Sequence, residues 1–64
     1  MAYSIFDTGN LVVSFDRVDS AHKALERLAR ETPEANHRLF LVAFDDDGNA
    51  VDDCVPGQRI ARAA

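Results

Sequence analysis

The sequence lacks the features that identify several large classes of protein. Its 64 residues include one cysteine, no tryptophan, three glycines and two prolines. One cysteine cannot close an internal disulfide, and together with two distant histidines it cannot supply a zinc-finger ligand set. No apolar run approaches the ~18 residues that a membrane-spanning helix needs. Residues 1–7 lack the basic start and apolar stretch of a secretory signal, so we expect neither a membrane protein nor an exported one.

Motifs for catalysis or cofactor binding are also missing. The three glycines form no phosphate-binding pattern, and Cys54 follows Asp53, whose charge opposes formation of a thiolate. His22 and His37 have no neighbour at the spacing of a catalytic triad, and we expect both at the surface. The sequence therefore predicts no enzyme, no cofactor, no metal site and no small-molecule substrate. It contains no motif specific to one family.

What the sequence does contain is typical of a small globular protein. Hydrophobic residues make up 47% and charged residues 28%, with a formal net charge of −4. Arginine greatly outnumbers lysine and alanine is abundant, a bias typical of GC-rich bacterial genomes. The lone cysteine suits the reducing cytoplasm. Small domains without disulfides or metals often depend on oligomerisation, so we expect an acidic cytoplasmic protein that forms a homodimer or binds a partner chain.

Two β-rich runs flank an Asp–Thr–Gly–Asn segment near the N-terminus. Glycine and asparagine tolerate the positive φ values that tight hairpin turns require. The pattern therefore predicts a hairpin with strands at 3–7 and 10–15. Simple alternation along the second strand places Leu11, Val13 and Phe15 on one face.

The next segment has the periodicity of an amphipathic helix over residues 17–31. Asp16, Asp19 and Ser20 are candidates for the N-terminal cap or for acidic residues of the first turn, and Pro33 ends the helix. At 100° per residue the apolar side chains fall within one arc of about 140°. These residues are Val18, Ala21, Ala24, Leu25, Leu28 and Ala29.

A third strand, at 38–45, is apolar on both faces. One face carries Leu39, Leu41 and Ala43, and the other carries Phe40, Val42 and Phe44. A strand of this kind is central in a sheet or meets another chain. Because alternation does not show which face meets the helix, the candidate interface includes residues from both. It comprises Leu39, Phe40, Leu41, Val42 and Phe44.

A fourth strand at 50–55 follows the acidic turn Asp45–Asn49 and ends at a Pro–Gly pair. That turn lacks the first and twelfth oxygen ligands of an EF-hand loop, so we interpret it as a solvated hairpin turn. The sequence predicts a single ββαββ domain at 1–57 and a C-terminal tail at 58–64. The expected fold is α+β, with one amphipathic helix packed on one face of a four-stranded, mostly antiparallel sheet in a dimer.

A basic stripe runs along the polar side of the predicted helix. It consists of Lys23, Arg27 and Arg30, and Glu26 and Glu31 flank it. The simplest interpretation is a solvated helix face with local charge pairs. An acidic protein or a nucleic acid are the alternative partners for this stripe.

The favoured function is a non-catalytic, homodimeric protein–protein interaction or regulatory module. One alternative is a nucleic-acid-associated regulator of the antitoxin type, which would contact phosphates through the basic stripe and through Arg59 and Arg62. Nucleic acid is the less favoured partner because the chain is net acidic. A second alternative is an accessory subunit of a larger assembly, captured through the tail.

Overall fold

The computed structural model describes residues 1–61. It confirms a small α+β domain in which one helix accompanies a four-stranded antiparallel sheet. Residues 62–64 of the predicted tail, including Arg62, lie outside the described part of the chain. The elements in chain order are β1 (Ala2–Asp7), β2 (Asn10–Phe15), α1 (Val18–Glu31), a short 3-10 helix (Pro33–Ala35), β3 (Leu39–Phe44) and β4 (Ala50–Cys54).

The strand order in the sheet is β2-β1-β3-β4, and all three pairings are antiparallel. The two hairpins therefore lie side by side, with β1 and β3 at the centre and β2 and β4 at the edges. β3 is thus a central strand with hydrogen-bonded neighbours along both edges, while α1 covers only one of its two apolar faces.

Both hairpin turns use glycine where the backbone enters the left-handed region. Gly9 has φ 82° and Gly48 has φ 83°, and Thr8 joins the first turn at φ 54°. In the second turn the Asp45 carboxylate accepts hydrogen bonds from the backbone N–H groups of Asp47 and Asn49, each at 2.9 Å. These side-chain bonds hold the acidic turn in shape without any ligand.

A β-bulge corrects the predicted face of Leu11. Ile5 pairs with Val13, but the next residue, Phe6, pairs with Leu11, so Val12 is the extra residue of β2. Paired residues share a face, and Leu11 therefore lies with Phe6 on the face opposite Val13. The prediction that Leu11 and Val13 share a face was wrong because alternation fails where a strand bulges.

The helix packs on the face of the sheet that carries Tyr3, Ile5 and Leu41. The predicted apolar arc is confirmed, since Ala21 and Leu25 are fully buried and the other members of the arc are partly buried against the same core. Asp19 is confirmed as an acidic residue of the first turn, but none of the three candidates is the cap, because the cap position is Arg17, which makes no side-chain cap bond. The largest fully buried side chains are Ile5, Leu25, Leu39 and Leu41.

A polar clamp ties the end of β1 to the start of β3. The Arg38 Nε donates to the Asp7 carboxylate at 3.0 Å, and the Thr8 hydroxyl donates to the same oxygen at 2.8 Å. These hydrogen bonds, Arg38 first, hold the pKa of Asp7 below its ordinary value, and the same pair raises the pKa of Arg38. The clamp thus connects the end of β1 with the residue before β3.

Candidate interaction surface

The face of the sheet opposite α1 presents a contiguous apolar surface, which we call the open face. The pairings place Phe6 beside both Leu11 and Phe40 on this face. Leu11 is 60%, Val12 49% and Phe40 43% exposed. The apolar residues of the open face are Phe6, Leu11, Val12, Phe40, Val42 and Phe44.

The aromatic side chains of the open face are ordered by contact with one another. The rings of Phe6 and Phe44 meet edge to face, with centroids 6.4 Å apart and an interplanar angle of 62°. This is a preferred geometry for aromatic pairs and restricts the motion of both rings. The open face therefore offers a partner a preorganised apolar surface.

The polar side chains of the open face are compatible with being covered. The Ser4 and Ser14 hydroxyl oxygens lie 2.8 Å apart and share a hydrogen bond across β1 and β2. One of the two hydroxyls donates to the other, so a partner that covers them has to replace fewer hydrogen bonds to water. One strand residue of this face is charged. It is Asp53, which lies on the edge strand β4 and pairs with Val42 of β3.

The structure divides the five residues of the candidate interface. Leu39 and Leu41 are 2% and 0% exposed and lie in the core beneath the helix, so they are unavailable to any partner of the folded chain. Phe40, Val42 and Phe44 point to the opposite face. The sequence prediction did not include Phe6. Alternation along β1, in which Phe6 follows the core residue Ile5, was the pattern that could have placed it on this face.

The basic stripe lies on the outer side of α1, where Lys23, Arg27 and Arg30 are all exposed. They line an open groove of about 760 Å³, and Arg59 joins them from the segment after β4. The groove also contains three carboxylates, Asp19, Glu26 and Glu31, and the Arg59 guanidinium lies 3.8 Å from Asp19. Four cations thus face three anions, and the groove has only a small excess of positive charge.

His22 is buried, which corrects the expectation of a surface histidine. It is 5% exposed, and its Nε2 accepts a hydrogen bond from the backbone N–H of Ile60 at 3.2 Å. Burial lowers the pKa of His22, and the charge of Arg59 lowers it further. His37, in the loop before β3, is exposed as expected.

Cys54 is a free thiol at the end of β4 and is 2% exposed. Burial raises its pKa, and the charges of Asp52 and Asp53 raise it further. The thiol is therefore held in its protonated, poorly nucleophilic form at neutral pH.

Neither a metal cluster nor a membrane-spanning helix is present in residues 1–61. No group of three or more histidine, cysteine or acidic side chains in this range is arranged to hold a metal ion. The helices of the same range include none with the length and apolarity to cross a bilayer.

Comparison with known proteins does not assign the chain to a family. No protein-family model, no curated protein and no solved structure matches the chain. The functional argument therefore depends on the surfaces described above.

Proposed function

We propose that this protein is a non-catalytic interaction module that forms a homodimer by stacking the open faces of two sheets. The observation that carries the proposal is the apolar open face with Phe6, Phe40 and Phe44 at its centre. Aromatic residues of this kind are the usual anchors of protein–protein interfaces.

The partner that best suits the open face is a second copy of this chain. The face carries one charged strand residue, at an edge, so it gives a charged or polar partner little to bind. Two copies present equal apolar surfaces to each other, as a two-fold interface requires. Stacked sheets pack about 10 Å apart, which leaves room for the phenylalanine side chains of both copies to interdigitate.

The size of the open face sets the expected strength of the dimer. The four strands lie about 4.8 Å apart, and six residues at ~3.3 Å per residue make each central strand about 20 Å long. The face therefore measures roughly 19 by 20 Å. Two such faces together bury roughly 760 Å², which is less than a stable specific interface buries and places the dimer among weak, transient ones. The dimer should therefore depend on concentration within the range that light scattering covers.

Stacking of the open faces also bears on the nucleic-acid alternative. It places the two helices on opposite outer sides of the dimer, roughly 30 Å apart across a helix–sheet–sheet–helix arrangement. The basic stripes then form no continuous surface, which disfavours contact with phosphates through paired helices. Each outer groove stays accessible to an additional protein. We place this function in the cytoplasm, where the free thiol of Cys54 stays reduced.

The test is the molar mass in solution, measured by light scattering over a range of protein concentrations. Phe40 is 43% exposed, which leaves roughly 90 Å² for a partner to cover. At ~25 cal/mol per Å², removing this Phe40 contact area from both copies weakens the dimer by about 4 kcal/mol, or on the order of a thousandfold in Kd. The variants Phe40→Asp and Phe40→Thr should therefore be monomeric wherever the wild type is dimeric.

The threonine variant keeps a residue that favours strands, so it separates loss of the interface from loss of the fold. Asn36→Asp is the matched control, since it adds the same charge at an exposed loop position near β3. We expect it to dimerise like the wild type. A folded Phe40→Thr variant that stays dimeric would show that the open face is not the interface, and a monomeric wild type would refute dimerisation itself.

A further inference from the structure

The segment after β4 folds back over the seam between the helix and the sheet. Ile60 is 7% exposed and belongs to the same hydrophobic core as Leu25 and Cys54. Its backbone N–H donates to the Nε2 of His22 on α1, at 3.2 Å. The backbone N–H of the next residue, Ala61, donates to the Asp52 carboxylate at 2.7 Å.

These contacts hold the segment to two elements at once. The Ile60 bond attaches it to the first half of α1, and the Ala61 bond attaches it to the edge strand β4. The segment begins with a turn in which the Gln58 N–H donates to the Val55 carbonyl at 3.0 Å. The result is a short strap that closes the core on the β4 side.

We propose that residues 58–61 form a proton-sensitive strap, docked while the imidazole of His22 is neutral and released when that imidazole is protonated. The imidazole Nε2 accepts a hydrogen bond only while it carries no proton. Protonation of His22 places a second donor opposite the Ile60 N–H and creates a charge in a buried position. Both effects favour the released strap.

The charges around His22 set the direction of the pH dependence. Burial is the largest cause of its lowered pKa, and Arg59 of the strap acts in the same sense. Asp19 and Glu26, on the same helix, oppose the shift with smaller effects. On the β4 side, the charged residue bonded to the strap is Asp52.

The released strap leaves His22 in water, where its pKa returns toward the ordinary value of about 6.5. Below that value the released form gains a proton that the docked form does not hold. The docked strap is therefore favoured at and above neutral pH and loses stability as the pH falls from about 6.5 toward the lower pKa of docked His22. In the window between the two pKa values, the equilibrium shifts toward release by about tenfold per pH unit.

Hydrogen exchange of the backbone amides, followed by NMR at a series of pH values, tests the strap directly. The Ile60 amide reports docking, and the Leu41 amide in the central strand reports global unfolding. In the wild type, protection of Ile60, corrected for intrinsic exchange, should fall by up to about tenfold per pH unit as the pH drops below about 6.5, while Leu41 stays protected.

Two variants identify the titrating group. In His22→Gln an amide oxygen takes the place of Nε2 as acceptor and does not titrate, so protection of Ile60 should persist through the acidic window. His37→Gln is the matched control, because His37 is exposed and does not contact the strap. It should respond to pH as the wild type does.

Three results would overturn the proposal. The first is equal loss of Ile60 protection with pH in His22→Gln and in the wild type, which would assign the response to another group such as Asp52. The second is loss of Leu41 protection together with Ile60, which would indicate unfolding of the whole domain. The third is a wild-type strap that stays protected to the pH at which the domain unfolds.

Discussion

Truncation of Ile60 tests how much the strap contributes to the stability of the domain. Replacement by alanine removes three carbon atoms from a side chain that is 7% exposed. At ~0.8 kcal/mol per buried methylene the transfer loss is about 2.4 kcal/mol, and the cavity left behind raises the total to roughly 3–4 kcal/mol. The expected cost is large for a residue that lies beyond the last strand.

The assay is urea unfolding followed by circular dichroism, at fixed protomer concentration and at about pH 7.5, where histidines are largely neutral. Ile60→Val should lose about 0.5–1.5 kcal/mol, which gives a graded series. Arg59→Ala is the control within the same strap. Its side chain is exposed and its ion pair spans 3.8 Å, so its loss should stay within about 0.5 kcal/mol. If Ile60→Ala costs no more than Arg59→Ala, Ile60 is not part of the core.

Two further predictions concern the polar clamp and the buried thiol. Because Arg38 and Thr8 lower the pKa of Asp7 from 3.8, its contribution to stability is complete above that value and is lost as the pH falls through the lower folded value. When unfolding is measured at a series of acidic pH values, the free energy of unfolding of Asp7→Asn should fall less steeply below about pH 4 than that of the wild type. Equal slopes for the two proteins would contradict the clamp. Cys54, buried with a raised pKa, should react with a thiol reagent much more slowly in the native protein than in urea. Equal rates would show that the thiol is accessible.

The helix was the most predictable element of the fold because its signal repeats over several turns. Apolar residues recur at helical spacing from Val18 to Ala29, so a single misplaced residue does not alter the prediction. The strands were predictable from β-rich runs bounded by turn residues. Strand order was not, because the pairing of β1 with β3 depends on contacts between distant parts of the chain.

Alternation alone was insufficient to predict the faces of the sheet. Leu11 changes face at the bulge, and nothing in the local sequence requires an extra residue there. Strand β3 is apolar on both faces, so a period of two did not show that Leu41 meets the helix while Phe40 faces outward.

The strap was missed because its contacts join residues far apart in the sequence. His22 lies only ~20° beyond the apolar arc of the helix at 100° per residue, a position that is half inside the core. Ile60 is a single large apolar residue in a polar segment. Neither signal shows that the two residues are partners, because 38 positions separate them.

The strand order has a consequence for how the chain folds. Each hairpin pairs strands that are close in sequence. The central pairing of β1 with β3 joins distant residues, since Asp7 and Leu39 are 32 positions apart and Ala2 and Phe44 are 42 positions apart. Closing such a loop loses much more chain entropy than forming a hairpin. We therefore expect the hairpins and α1 to form early and transiently, and the docking of β1 on β3 to limit the folding rate. Substitutions that weaken the hairpin turns should then slow folding together with those at the β1–β3 boundary, because the turns are already formed when the two strands dock.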